Sequence, residues 1–248
     1  MKQFRLPIAM LHHVSNREEW RSLRPFVISE ATFMRFLDAI ERAQMQPVTF
    51  KSMQETEKTQ DHSKIIISFD DCGKHLLNFA VPELIRRNFS AVFYIPTANI
   101  GGFNTWNVEQ GRSKVPLMDE SEIIQLQRLG MEVGGHSHDH VRLGSLNDKE
   151  VLQQLQSCQS TLTRILGQPA TYFAYPYGSI PSNAKALLET NGFHDTCAIF
   201  SPRQERHMQR RFIVHDGDSP LTMRAKLTGL YRWYRSLTDP RKPESSWQ

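Results

Sequence analysis

Ile65-Ile66-Ile67-Ser68-Phe69-Asp70-Asp71 reads as an apolar strand that ends in two adjacent carboxylates. A run hydrophobic on both faces suits a strand buried inside a parallel sheet, not one with a wet face. Working outward, residues 8–11, 91–96, 132–137, 172–175, 196–200 and 212–214 have the same character. Amphipathic stretches separate them. Phe33, Phe36, Leu37 and Ile40 share a helix face after a Ser29 cap. Asp119 with Glu122, and Asn147 with Glu150, have capping-box spacing. The second box opens a helix to about Leu166, closed by Gly167 and Pro169. A further helix is expected over residues 182–190. Alternating strands and helices imply a parallel sheet with right-handed crossovers, open or closed into a barrel.

Composition sets the outer limits. The 248 residues are 39% hydrophobic and 23% charged, which excludes a disordered chain. No window approaches a membrane span, and the N-terminus lacks the features of a secretory signal. Cys72, Cys158 and Cys197 cannot all pair and have no metal-type spacing, so a cytoplasmic setting is expected. Of the net charge of +4, residues 1–202 contribute −1, from 20 basic and 21 acidic side chains. Residues 203–242 carry 10 basic and 4 acidic groups. The basic character therefore sits in the tail, and no nucleic-acid partner is expected.

Three histidines crowd into Gly135-His136-Ser137-His138-Asp139-His140, directly after a strand. His136 and His140 can reach one ion if the segment turns after that strand. In a parallel α/β domain all C-terminal strand ends share one rim, so the Asp pair and the His cluster meet there. Adjacent carboxylates repel, and a cation relieves them. One Asp with two His makes a catalytic type of metal site with open positions, leaving the other Asp as a base. At a third strand end, Phe173-Ala174-Tyr175-Pro176-Tyr177-Gly178 forms a constrained turn able to present a backbone N–H to a ligand oxygen.

Together these residues resemble the polysaccharide deacetylases (carbohydrate esterase family 4, the nodulation-type deacetylases) over roughly residues 8–215. Ser68-Phe69-Asp70-Asp71 is similar to the family's Thr-Phe-Asp-Asp-Gly motif. His136-Ser137 with His140 matches His-Ser/Thr-x-x-His, and Phe173 to Gly178 matches the third motif of one subgroup. Met10-Leu11-His12-His13 is similar to the Tyr-His-His start. The resemblance implies a distorted (β/α) barrel of deacetylase type. No linker divides the chain, so a single catalytic domain is expected over residues 1–238, with a flexible tail over 239–248. It implies a divalent metal on Asp71, His136 and His140, zinc in the first place, with cobalt or nickel as alternatives. Asp70 would be the general base, the Tyr177 N–H an oxyanion donor and His215 of Val214-His215-Asp216 the general acid. His12, Tyr175 and Pro176 would line the substrate pocket. The implied reaction removes an N-acetyl group from an amino sugar. Hydrolysis of a non-sugar amide and an inactive sugar-binding relic are the alternatives.

The sequence departs from the family pattern at several places. Cys72 replaces the usual Gly, with Gly73 following. Ala174 stands where many members carry an Arg that orients the base. The family's Asp-Trp motif has no match, although Asp195 lies in the right region. Residues 221–237, with Arg224, Lys226, Arg232 and Arg235 among aromatic residues, read as an amphipathic helix closing the domain. The alternative role for that helix is peripheral contact with a membrane or a lipid-linked sugar.

Overall fold

Along residues 64–69, Ile66 packs on one side with Ile8, Val92, Tyr94, Tyr172 and Cys197, while Ile65, Ile67 and Phe69 pack on the other against the helices. Strands buried on both faces arise because the sheet curls around one cluster and is jacketed by another. The computed structural model describes residues 6–55, 63–199, 206–228, 231 and 234. Its first half comprises β1 (Ile8–Leu11), β2 (His13–Val14), β3 (Val27–Ile28), α1 (Glu30–Arg42), β4 (Gln46–Pro47), α2 (Phe50–Glu55), β5 (Lys64–Phe69), α3 (Ala80–Arg86) and β6 (Val92–Ile95). Then follow α4 (Thr105–Val108), α5 (Glu120–Arg128), β7 (Glu132–Gly135), α6 (Asp148–Leu166), β8 (Tyr172–Ala174), α7 (Ala184–Thr190), β9 (Asp195–Ala198), β10 (Gln209–Arg210), β11 (Phe212–Ile213) and α8 (Pro220–Leu227).

All pairings are parallel, in the order β10-β9-β8-β7-β6-β5-β1-β11, with β4 added beside β5. The two ends of this order belong to one short segment. Gln209 and Arg210 pair with Cys197 and Ala198, and Phe212 and Ile213 pair with Ala9 and Met10. Only Arg211 separates β10 from β11, so a single segment bridges both edges and the barrel is nearly closed. The expected distorted (β/α) barrel is therefore the observed fold.

Local signals behave as the sequence implies. Ser29 accepts from Thr32 N, and both capping boxes form at α5 and α6. Gly167, at φ 72°, ends α6. At the bottom of the barrel, Glu132 accepts from Phe50 N (2.9 Å) and Lys51 N (3.1 Å), pinning the first turn of α2. Phe50 then stacks on Tyr172 at 5.1 Å and plugs the barrel floor. Removing those acceptors in Glu132→Ala is expected to cost about 1–2 kcal/mol in urea unfolding, with an unaltered unfolding slope. An unchanged midpoint would show that the plug holds by packing alone.

The C-terminal helix departs from expectation. α8 ends at Leu227, where Thr228 turns extended, so the expected helix is interrupted there, and Tyr231 and Tyr234 beyond it are again helical. Lys226, read as part of a basic surface, is buried. Its Nζ donates to Asp218 (2.5 Å) and to the Ile213 carbonyl (2.8 Å), which compensates the buried charge. Arg232, Arg235 and the tail over residues 239–248 lie outside the described residues.

Candidate active site

Seven non-glycine residues among those described have positive φ, and five of them follow β5, β7 and β8: Asp71, Cys72, Ser137, His140 and Tyr177. The left-handed region is costly for residues with a Cβ and persists where surrounding structure demands it. Here it bends three strand ends inward over one rim. Gly134 makes room for this: a Cβ there would lie 2.7 Å from the Tyr172 carbonyl oxygen and 2.8 Å from the Tyr94 ring.

Asp71, His136 and His140 are brought together and buried, with one donor atom from each within 4.8 Å of the others. Asp71 Oδ1 is 3.1 Å from His140 Nε2 and 3.6 Å from His136 Nε2. His136 Nδ1 donates to the Ala174 carbonyl at 2.7 Å, which assigns the tautomer and turns the Nε2 lone pair into the cluster. Burial keeps His136 neutral, pushing its pKa down to about 4. The His140 ring is clamped by stacking on Trp106 (3.9 Å) and by an edge contact with Tyr177 (4.9 Å). Asp71 Oδ1 is buried without a hydrogen-bond donor. Two imidazoles and an uncompensated carboxylate oxygen, all converging, are the donor set of a divalent metal site, and the residues fit such an ion.

Asp70 stands beside this cluster. Burial works to raise its pKa, but the Arg211 guanidinium and His136 outweigh it and hold the carboxyl below its usual range. Arg211 Nη1 donates to Asp70 Oδ1 (2.6 Å) and Nη2 to Oδ2 (2.7 Å), a bidentate pair wholly inside the protein. With Ala174 in the usual place of the arginine, another group serves in its stead: Arg211, the residue between β10 and β11 where the barrel closes, orients the base. The signal was present in Arg210-Arg211-Phe212, but choosing the inward-facing arginine requires the strand register.

The pocket expectations divide. His12 lines the cleft, with Nε2 4.0 Å from Asp70 Oδ2, and its side chain is 12% exposed. Tyr177 also lines it. The hydrogen bonds of its turn run from Gly178 N to the Tyr175 carbonyl and from Ser179 N to the Pro176 carbonyl, leaving Tyr177 N–H out of them. His215 does not line the cleft. It is exposed on a loop whose Asp216 accepts from Ser29 and Thr32 at the start of α1. Tyr175 and Pro176 are also corrected, since neither lines the cleft. Tyr175 is 1% exposed, donates from its hydroxyl to the His207 carbonyl and serves to anchor the turn. Asp195 pairs with Arg206 (2.7 Å), away from the rim. The Cys72 Sγ is buried 3.5 Å from Met118 Sδ, and burial pushes its pKa well up, so the thiol is an inert core group.

Segments without motif character supply the rest of the cleft. It encloses about 890 Å³, and Phe26, Trp106 and Asn107 are among its walls. Trp106 gives the rim an indole from a different segment than the Asp-Trp motif would.

A parallel barrel with a His-His-Asp cluster and a clamped aspartate at its C-terminal rim defines a barrel protein with a candidate metal-dependent site. The polysaccharide deacetylase profile matches residues 57–195, more than half of the chain, and the protein belongs to the polysaccharide deacetylase family. It is 30% identical over 129 residues to a chitin deacetylase of a Pestalotiopsis species, covering 52% of this chain and 39% of that protein. Among solved structures, it superposes on the Streptococcus pyogenes deacetylase PplD, in complex with acetate, with a TM-score of 0.76 and 14% identity. That alignment covers 90% of this chain and 98% of the other. IcaB from Ammonifex degensii gives 0.75 and 20%, covering 90% and 96%. These two likenesses establish the fold. The chain spans less than two thirds of the length of the curated relatives it matches.

Proposed function

We propose that the protein hydrolyses the acetamide of an N-acetylated amino sugar. The observation that carries this reading is Asp70, buried, ionised and clamped by Arg211, beside the Asp71–His136–His140 cluster. Asp71, His136 and His140 would hold a divalent ion, with zinc preferred, and its chemistry there would be Lewis acidity toward the carbonyl and a lowered pKa for a water in the cleft. Asp70 is placed to accept the proton of the attacking water on Oδ2, the oxygen facing His12 and His136. Tyr177 N–H, uncommitted to its own turn, is the donor offered to the developing oxyanion. His12 takes over the role first assigned to His215 and hands a proton to the leaving amine. Trp106, Phe26 and Tyr177 give the sugar ring apolar faces to rest on. The inactive-relic reading drew on the missing arginine at position 174 and on the open question of the acid; Arg211 answers the first, and the His12→Ala and His215→Ala variants address the second.

Acetate release from N-acetylglucosamine oligomers tests the proposal. Release is expected with zinc, cobalt or nickel added, is abolished by a chelator and is restored by metal. No acetate from any N-acetyl sugar with any of the three metals sinks it. His12→Ala is expected to lower kcat by about 10²-fold or more, as loss of a general acid does. His215→Ala is expected to stay within about twofold, since surface substitutions seldom perturb a site. The reverse ranking would return the acid role to His215.

A further inference from the structure

The wall of the cleft beside the candidate metal cluster carries polar groups that the proposed reaction does not use. Asn107, on α4 next to Trp106, is only 6% exposed, yet its side-chain amide makes no hydrogen bond to the described residues and lines the cleft. The residue is otherwise packed away, and its amide reaches the cleft with no internal partner, which leaves both the N–H and the carbonyl free to meet a ligand there. Arg112 folds back on the same residue, its backbone N–H donating to the Asn107 carbonyl at 2.9 Å, and its side chain lines the cleft too. From the opposite loop, the Arg142 guanidinium lies 4.4 Å from the centroid of the Tyr177 ring, and that ring in turn touches His140. Stacking fixes the plane of a guanidinium while leaving its N–H edge free to bind. Neither arginine makes an ion pair among the described residues. The carboxylates on this wall are Glu109 and Asp139. Asp139 accepts from Gln154 Nε2 at 2.6 Å, and Glu109 is exposed at the rim.

We propose that Asn107, Arg112 and Arg142 form an anion-binding subsite, taking a carboxylate or phosphate carried by the substrate close to the acetamide to be cleaved. The subsite rests on the deacetylase reading above and narrows it to acidic or phosphorylated amino sugars. Arg142 supplies a planar, pre-stacked fork, Arg112 a second charge, and Asn107 an amide N–H that completes the cradle.

Three sugars test this: di-N-acetylchitobiose, its uronic acid and its 1-phosphate. In the wild-type protein at least one anionic sugar is expected to exceed the neutral one in kcat/KM by about tenfold, the scale of one or two charged hydrogen bonds. That ratio falls toward one in the Arg112→Gln/Arg142→Gln double variant and shrinks as salt rises. Arg142→Lys retains part of it. Preference for the uronic acid alone assigns a carboxylate, and preference for the phosphate alone assigns a phosphate. A wild-type ratio of one with both anions, or a ratio unchanged in the double variant, overturns the subsite. Calorimetric binding of the same sugars to Asp70→Asn protein reads the subsite without turnover. There, anion-selective binding lost in the double variant supports the subsite even if no acetate is ever released, and unselective binding overturns it.

Discussion

Asp70→Asn protein is expected to bind metal as the wild type does and to release acetate about 10²–10⁴-fold more slowly, the scale of a lost general base. The two parts of this result come from two neighbouring carboxylates with different surroundings. Asp71 points at two histidine nitrogens and has no other donor for its Oδ1. Asp70 is paired with Arg211 on both oxygens and faces the cleft histidines. An amide at position 70 keeps the size of the group and one hydrogen-bond acceptor but cannot accept a proton. Asp71→Asn is the matching control, expected to lose metal affinity as well as activity. Metal content read by mass spectrometry, with acetate measured in parallel, separates the two variants. If the Asp70 variant loses its metal, or keeps near wild-type turnover, the division of labour between the two aspartates is wrong.

Arg211→Met is expected to have the second largest effect, on stability and on pH dependence together. Removing one partner of a buried ion pair leaves an uncompensated charge, at a cost of about 3–5 kcal/mol. In the wild type the Asp70 pKa is held below its unfolded value. The pair's contribution is therefore fully present above about pH 4 and is lost as pH falls through the depressed value. Without Arg211, burial dominates and the Asp70 pKa rises. The variant should then lose stability as pH climbs above about 4, the opposite slope. The acidic limb of kcat/KM should move to higher pH for the same reason. Arg211→Lys keeps the charge but not the two-pronged geometry, and it should recover most of the stability and less of the rate. Denaturant midpoints across pH, compared with the pH–rate profile, test this. If the acidic limb does not move, Arg211 is a structural partner only.

Much of the site was legible because it lies in strand-end motifs. Asp70, Asp71, His136, His140 and Tyr177 each follow a strand within a few residues. A parallel barrel puts every such end on one rim, so short-range pattern and topology together place them. His215 falls outside the cleft because its segment follows a strand but its loop turns toward α1, where Asp216 binds the first turn of the helix. A linear pattern cannot reveal that turn. Tyr175 was misassigned for a related reason. Tyr175 and Pro176 both turn into the protein and only Tyr177, with its left-handed backbone, reaches the cleft, which the motif alone does not reveal.

Local chemistry in the chain was enough to specify the strands, the helix caps and the identity of the two carboxylates and two histidines, because each depends on neighbours a few residues away. Tertiary structure alone decided which arginine holds Asp70, which histidine stands beside it and which residues of segment 97–118 wall the cleft. Arg211 lies 141 residues from Asp70 in the chain and becomes its partner only when β10 and β11 bridge the two edges of the barrel. Closure of a sheet is a global condition on strand number and register, and no local stretch of sequence encodes it.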